Sequence, residues 1–150
     1  MVPASEITVR VRYNETGRQG IAHHGVFAAW FDMAQMEFLR AKGITYSEIE
    51  DRGYQLPQIE THIRFKGAAR FDEELKVKMY LRESGAIKHV LDFEVTRLDG
   101  SIVATGQTSH AFVDKNMRPV NMKKAWPELF NMLSKSNDKL KMPDGNETAE

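Results

Sequence analysis

The sequence predicts an α+β fold in which a five-stranded antiparallel sheet wraps around one long central helix. One stretch, residues 25–42, has no proline and no internal glycine, and it is apolar on nearly every helical face, as a buried helix is. One segment that alternates apolar and polar residues precedes this stretch, and four such segments follow it. Turn sequences separate the later segments, which indicates antiparallel neighbours joined by short connections.

Length and composition indicate one soluble domain. The chain has 150 residues, of which 41% are hydrophobic and 28% charged. Lys and Arg total 21, as do Asp and Glu, and this zero formal charge argues against a general nucleic-acid binder. Cysteine is absent, so disulfides, thiolate metal ligands and a cysteine nucleophile are excluded. No signal peptide or membrane span is recognisable, and we therefore expect a cytoplasmic protein.

The first predicted elements are a strand, a loop and the long helix. Residues 7–13 alternate apolar and polar side chains, which is typical of a half-buried strand. The polar loop over residues 14–22 leads into the helix at 25–42. Gly43 should end that helix, because glycine readily adopts the left-handed conformation found after many helices.

A short helix and four strands are predicted next. Thr45 should cap a helix over 45–52, and Glu48, three residues later, would complete a capping box. The strands then form an antiparallel meander. They are predicted at 54–66, 73–84, 86–98 and 101–114. Asp99-Gly100, between the last two strands, is a strong hairpin signal.

The C-terminal part changes in character. Residues 125–133 predict a terminal helix, whereas residues 134–150 are polar and are expected to be a disordered tail. Residues 1–133 would therefore form a single domain. A single sheet layer leaves a sheet edge and part of the central helix uncovered, which predicts a homodimer.

Residues 11–34 carry a longer motif, V-R-Y-x-E-T-x-x-x-G-I-x-x-H-x-x-F-x-x-W-F-D-x-A. The motif resembles the 4-hydroxybenzoyl-CoA thioesterase family, which includes the acyl-CoA thioesterases associated with the Tol-Pal system. The resemblance continues through residues 38–57, 63–81 and 110–122. It implies the hotdog fold, a homodimer or homotetramer, and hydrolysis of a thioester of CoA or of acyl carrier protein without a cofactor.

The motif departs from the family at one position. The family usually has E/D-T-D-x-x-G, with the second acidic residue as the catalytic carboxylate, and here Gly17 occupies that position. Some related enzymes, such as the thioesterases of enediyne polyketide pathways, also lack this carboxylate. Gly17 is either a turn glycine with positive φ or a residue that leaves room for a bulkier acyl group.

The segment GIAHHG, residues 20–25, leads directly into the central helix. Backbone N–H groups at a helix N-terminus can stabilise negative charge on a thioester oxygen. The resemblance places the N–H of His24 on that oxygen. Gly20, His23 and Gly25 would then form the substrate-binding loop around it.

Three side chains are candidates for a catalytic base. Histidine as a residue type is suited to activating water near neutral pH, which makes His24 the first candidate. Asp32 is a carboxylate within an otherwise apolar helix, and a second type of hotdog thioesterase carries its catalytic acid on this helix after a His-Gly-Gly signature. Glu15 is the remaining carboxylate of the motif, at a position where the family also has an acid without a catalytic role.

Two groups of basic residues could bind the phosphates of CoA. Lys66 and Arg70 flank a Gly-Ala-Ala sequence, and Lys88 and His89 follow a Ser-Gly turn. The family resemblance favours Lys88 and His89.

Other activities have less support. No cysteine, H-x-H or H-E-x-x-H pattern indicates a metal site, and no G-x-S-x-G elbow indicates a serine thioesterase. The sequence offers no support for a dehydratase. Because the loop carboxylate is missing, a second hypothesis is a protein that binds acyl-CoA or a partner without hydrolysing the thioester.

Overall fold

The computed structural model describes residues 2–139, in which seven strands and four helices are assigned. In chain order they are β1 (Ser5–Arg10), α1 (His24–Ala41), α2 (Tyr46–Asp51), β2 (Tyr54–Gln55), β3 (Gln58–Phe65), β4 (Glu74–Ser84), β5 (Lys88–Arg97), β6 (Ile102–Ala111), β7 (Val113–Asp114), α3 (Met122–Ala125) and α4 (Pro127–Lys139). A short 3₁₀ turn at Tyr13–Glu15 follows β1.

The main sheet is five-stranded and antiparallel throughout, with the strand order β1-β4-β5-β6-β3. The predicted four-strand meander is wrong in one respect, because only β4, β5 and β6 are sequential neighbours. Strand β1 pairs along β4 from Ser5 opposite Met79 to Arg10 opposite Glu74. Since β1 and β5 occupy both edges of β4, β3 pairs with the far side of β6 instead.

Two predicted strands are interrupted. The strand predicted at 54–66 breaks at Leu56 and Pro57, consistent with the proline's lack of an N–H for a strand ladder. The strand predicted at 101–114 likewise divides after Ala111. The two short pieces, β2 and β7, pair with each other in a second small sheet.

The central helix packs against the inner face of the sheet, as predicted. Its large side chains Phe27, Trp30, Phe31 and Phe38 are buried. Phe31 stacks on Phe93 of β5 with ring centroids 4.3 Å apart. The helix was predicted to be buried on nearly all sides, and this is wrong for one stripe of its surface. The sheet of a single chain covers the other faces of α1 and leaves this stripe exposed. The exposed residues are His24, Gly25, Ala29, Asp32, Met33, Glu37, Arg40 and Ala41.

The helix ends agree closely with the sequence signals. The capping box of α2 is confirmed: the Glu48 N–H donates to Thr45 Oγ1 at 3.2 Å, and the Thr45 N–H donates to Glu48 Oε2 at 3.4 Å. The predicted C-terminal helix is divided at Trp126 into α3 and α4. Helix α4 runs to Lys139, past residue 134, where the tail was predicted to begin. Residues 140–150, the rest of the predicted tail, lie outside the described residues.

Candidate active site

A pocket of about 400 Å³ lies at the N-terminus of α1. One wall comes from the loop before the helix and its first turn, and the other from the end of β3 and the connection that follows. The lining residues are Ile21, Ala22, His24, Phe27, Phe65, Gly67, Ala68 and Ala69. The lining is apolar apart from His24 and exposed main-chain groups, which is typical of a site for an apolar substituent.

The two walls are joined by main-chain hydrogen bonds. The Ala22 N–H donates to the carbonyl oxygen of Ala69 at 2.8 Å, and the Phe71 N–H donates to that of Gly20 at 2.9 Å. Ile21 and Arg70 form an isolated antiparallel bridge between these contacts. The position of the helix N-terminus is therefore set by the connection between β3 and β4.

The first turn of α1, which borders this pocket at His24, has N–H donors without an acceptor in the described chain. His23 is the N-cap residue, and its side chain makes no capping hydrogen bond. Its N–H donates to the Glu15 carbonyl oxygen at 3.1 Å. Within residues 2–139, the N–H groups of His24 and Gly25 have no acceptor, as expected for the first positions of a helix. These two donors and the positive end of the helix dipole can receive a negatively charged oxygen.

Gly17 lies in a tight turn beside this loop. Its N–H donates to the Ile21 carbonyl oxygen, and its own carbonyl oxygen accepts from the Gly20 N–H, both at 3.0 Å. The suggested positive φ at Gly17 is wrong: Gly20 has a φ of +73°, whereas Gly17 is outside the left-handed region. A Cβ at Gly17 would meet no atom within 4 Å, so the turn can hold a side chain there.

Glu15 is buried and hydrogen-bonded to Arg12, which favours an anchoring role, and its catalytic role stays a prediction. Its carboxylate accepts from the Arg12 N–H at 2.8 Å and from the Arg12 guanidinium at 3.3 Å. Burial alone would raise the pKa of Glu15, but the hydrogen bonds from Arg12 outweigh it and lower that pKa. The nearby Trp30 indole on α1 also helps to lower the pKa of Glu15.

Asp32 lies on the exposed stripe of α1, with no hydrogen-bond or ion-pair partner among the described residues. Although the residue as a whole is exposed, neighbouring protein desolvates its carboxyl group enough to raise its pKa. Eight residues separate it from His24, a rise of about 12 Å along the helix. In one chain, therefore, the Asp32 carboxylate and the His24 N–H cannot both reach the same thioester group.

Of the two basic groups considered for CoA phosphates, the structure places Lys66 and Arg70, and not the favoured Lys88 and His89, beside the pocket. Lys66 and Arg70 are exposed and flank the pocket-lining residues 67–69. Lys88 begins β5 at the opposite end of the sheet, roughly 25 Å from the pocket at the usual strand rise. His89 points to the inner face and is only 2% exposed, so the prediction that it contacts a phosphate is wrong for the single chain.

Two residues near the pocket were missed by sequence reasoning. Phe65 lines the pocket and packs edge-on against Phe27, with ring centroids 5.1 Å apart. Arg97 hydrogen-bonds to the Ala68 carbonyl oxygen at 2.6 Å across 29 positions of sequence. No local sequence signal distinguishes either residue, because both contacts depend on how distant strands are placed.

Other kinds of site find no support in the part of the chain that the structure describes. There, no group of three or more histidine and acidic side chains is arranged to hold a metal ion. No helix between residues 2 and 139 has the length and apolar character needed to cross a membrane.

Comparison with known proteins identifies close structural relatives. A Bacillus subtilis (strain 168) protein provisionally named acyl-CoA thioesterase YneP is 25% identical over 133 residues, covering 88% of this chain and 96% of that protein. The DHNA-CoA thioesterase of Staphylococcus aureus superposes with a TM-score of 0.87 at 22% identity, covering 100% of this chain and 97% of that one. The hypothetical protein TT1821 of Thermus thermophilus superposes with a TM-score of 0.81 at 30% identity. The match covers 88% of this chain and 98% of that one.

The hotdog fold is thus confirmed by both the sheet topology and the solved structures. The finer assignment to the 4-hydroxybenzoyl-CoA and Tol-Pal group stays a prediction. The profile of the Thioesterase-like superfamily matches residues 11–144, which is most of the sequence. The chain belongs to the Thioesterase-like superfamily.

Proposed function

We propose that this protein hydrolyses the thioester of an acyl-CoA, or of an acyl carrier protein, to a carboxylic acid and a free thiol. One observation carries the proposal: an apolar pocket lies at a helix N-terminus whose first two N–H groups have no acceptor in the described chain. The provisional name of the Bacillus subtilis relative agrees with this activity. Two more distant relatives are named for the CoA esters 1,4-dihydroxy-2-naphthoyl-CoA and gentisyl-coenzyme A. Aromatic acyl groups are therefore among the candidate substrates.

The helix N-terminus would stabilise the transition state. Attack of water on the thioester carbon transfers negative charge to the carbonyl oxygen. The N–H groups of His24 and Gly25 are fixed donors for that charge, and the aligned peptide dipoles of an 18-residue helix favour it further. The N–H groups belong to the main chain, so the glycine at position 17 does not affect them.

The acyl group and the CoA phosphates would occupy different parts of the site. The acyl group enters the apolar pocket between Phe27, Phe65 and the small residues 67–69. Lys66 and Arg70 lie on either side of those small residues and are exposed, so they can contact phosphates at the pocket mouth.

The base that activates water would be His24 or Asp32. His24 lines the pocket and is already in place. Asp32 is about 12 Å away along its own helix and can act only if a second copy of the chain brings it to the site. In a homodimer that pairs the exposed stripes of two α1 helices, each pocket would receive the partner's Asp32.

A pair of substitutions at His24 separates its N–H from its side chain. His24 is the first helical residue, where proline is well tolerated, and His23 before it has an extended conformation compatible with a following proline. His24→Pro removes the N–H and the imidazole, whereas His24→Ala removes only the imidazole. Thiol release from acetyl-, hexanoyl- and benzoyl-CoA gives the activity of each variant.

We expect His24→Pro to lower kcat by about 100-fold or more, the usual cost of one oxyanion donor. His24→Ala should stay near wild-type activity if only the N–H matters, and should lose activity, though less than His24→Pro, if the imidazole is also the base. Equal losses in the two variants would mean that the N–H contributes nothing. Asp32→Asn tests the alternative base in the same assay. Full activity of a folded His24→Pro enzyme would exclude the proposed oxyanion site.

A non-catalytic binding protein is the second candidate, and the glycine at position 17 favours it. Calorimetry that detects acyl-CoA binding in a protein without thiol release would select this candidate. Gly17→Asp is then informative, because the turn has open space for the new side chain. New activity in that variant would show that the pocket is competent and lacked only a carboxylate.

A further inference from the structure

We propose that Arg97 is a positioning residue that fixes the pocket wall formed by Gly67, Ala68 and Ala69, and thereby sets which acyl groups are accepted. The inference rests on the proposed function, because it concerns the same pocket. Arg97 is not among the residues that line the pocket. It would act on the substrate only through the main chain of this wall.

The Arg97 guanidinium joins three separate segments of the chain. Its Nη2 donates to the Ala68 carbonyl oxygen at 2.6 Å, and its Nε donates to Glu73 Oε2 at 2.9 Å. Its Nη1 donates to the Ser101 hydroxyl at 3.3 Å, on the far side of the hairpin turn. The side chains of Arg97 and Glu73 are 29% and 27% exposed, so their ion pair is less screened by water than a surface pair.

Glu73 extends this contact to the other end of the wall. Its second oxygen, Oε1, accepts from the Arg70 N–H at 3.1 Å. Ala69, between Ala68 and Arg70, has a carbonyl oxygen that accepts from the Ala22 N–H. Ala22 lies two residues before His24, the first residue of α1. The wall is thus held from outside by Arg97 and Glu73 and from inside by the loop that carries the oxyanion donors.

Gly67 is also held to β6, because its N–H donates to the Val103 carbonyl oxygen at 3.0 Å, and Ala69 is buried. Ala68 between them is held by Arg97, because its own methyl group contributes little packing. The wall contains no side chain larger than a methyl group. Removal of the guanidinium would leave the Ala68 carbonyl and one Glu73 oxygen without their present donor. A displacement of about 1 Å in a substrate-positioning segment can change the rate by as much as about 100-fold.

The test compares three variants over a series of acyl groups. Arg97→Met keeps much of the apolar stem and removes all three donors, whereas Arg97→Lys keeps the charge but not the planar fork. Arg82→Met is the matched control, because Arg82 Nε donates to Asp92 Oδ2 at 2.6 Å in an ion pair on the outer face of the sheet. The readout is kcat/KM for acetyl-, butyryl-, hexanoyl- and benzoyl-CoA, normalised to folded protein.

We expect Arg97→Met to change the ratio of kcat/KM between the best and worst acyl groups by about 10-fold. Arg97→Lys should give a smaller change, and Arg82→Met should keep the wild-type ratio. A purely structural role would reduce activity on all acyl groups by the same factor. A wild-type ratio in active Arg97→Met would therefore overturn the proposal, however far total activity falls.

The same variants remain informative if the wild type binds acyl-CoA without hydrolysing it. Dissociation constants for the same series, measured by calorimetry, then replace kcat/KM, and the expected change in ratio is the same. That result would remove the hydrolytic function and support the role of Arg97. If the wild type neither binds nor hydrolyses any of the series, both proposals are wrong.

Discussion

His89 shows how strand alternation decides whether a polar side chain is available for function. Its position at the start of β5 suggested a phosphate contact, but its side chain lies on the inner face of the sheet, opposite His110 of β6. The two rings are 6.4 Å apart, and His89 Nδ1 has no hydrogen-bond partner in the described part of the chain. Burial, followed by the neighbouring His110, lowers the pKa of His89 to about 3.

The lowered pKa of His89 makes the fold sensitive to acid. Its neutral form contributes stability that is fully present above the ordinary pKa of 6.5 and is lost as pH falls towards about 3, because the unfolded chain binds the proton first. We expect wild type to lose about 1.6 kcal/mol more than His89→Leu between pH 6.5 and pH 5. Urea unfolding at both pH values measures the difference.

The control for this experiment is His62→Gln, since His62 is exposed on β3. That variant leaves His89 in place and should therefore keep the loss of stability that His89 causes at low pH. His110 faces the same buried space, and burial lowers its pKa as well. His110 therefore also reduces the free energy of unfolding at low pH, and this effect remains in His89→Leu. Identical pH dependence in wild type and His89→Leu would contradict the prediction.

At the scale of elements, the contact between α1 and the sheet requires a glycine. Gly106 of β6 lies under Phe31, and a Cβ at Gly106 would be only 2.4 Å and 2.7 Å from two atoms of that ring. Phe31 cannot easily move away, because it stacks on Phe93. We expect Gly106→Ala to lower the free energy of unfolding by about 1–3 kcal/mol, the usual cost of overpacking.

Denaturant unfolding of Gly106→Ala tests this prediction. The matched control is Gly17→Ala, since a Cβ at Gly17 meets no atom within 4 Å. Gly106→Ala combined with Phe31→Leu should recover part of the loss, because the smaller side chain gives the new methyl group space. Equal stability of Gly106→Ala and wild type would show that the helix can shift over the sheet without cost.

The elements themselves could be predicted from local patterns, whereas their pairing could not. Alternation and the Asp99-Gly100 turn located β5 and β6, and the capping box located α2, because these signals act over a few residues. The pairing of β3 with β6 depends on β1 occupying the edge of β4, and no local signal records that competition.

The same distinction applies to the candidate site. The motif identified the loop before α1 because its residues are consecutive in sequence. Sequence reasoning preferred Lys88 over Lys66, and the structure places Lys66 beside the pocket and Lys88 at the other end of the sheet. Phe65 and Arg97 were missed because their contacts to α1 and to residue 68 connect distant positions.

At the scale of the whole molecule, the described residues leave two surfaces uncovered, the edge of β3 and a stripe of α1. Every residue of β3 except Ile63 is exposed, and β3 is an edge strand. On the inner face of that edge, Phe65 is exposed beside the pocket, and the stripe of α1 that includes Met33 is exposed as well. An open strand edge next to an exposed helical stripe favours a homodimer across these surfaces.

A charge placed on this surface should separate the proposed dimer. Met33→Glu puts a carboxylate on the exposed stripe of α1, where Met33 is 49% exposed in the single chain. Met117→Glu is the matched control, because Met117 is 58% exposed on the loop after β7. Light scattering after size exclusion should give twice the chain mass for wild type and Met117→Glu and the single mass for Met33→Glu.

Activity should follow assembly if the partner supplies Asp32. In that case Met33→Glu loses hydrolysis together with the dimer, and its activity returns at protein concentrations high enough to restore association. A monomeric Met33→Glu protein with wild-type kcat would show that each chain holds a complete site, and the base would then be His24. A wild-type protein that is monomeric at assay concentrations but active would lead to the same conclusion, because Asp32 lies about 12 Å from the oxyanion donors of its own helix.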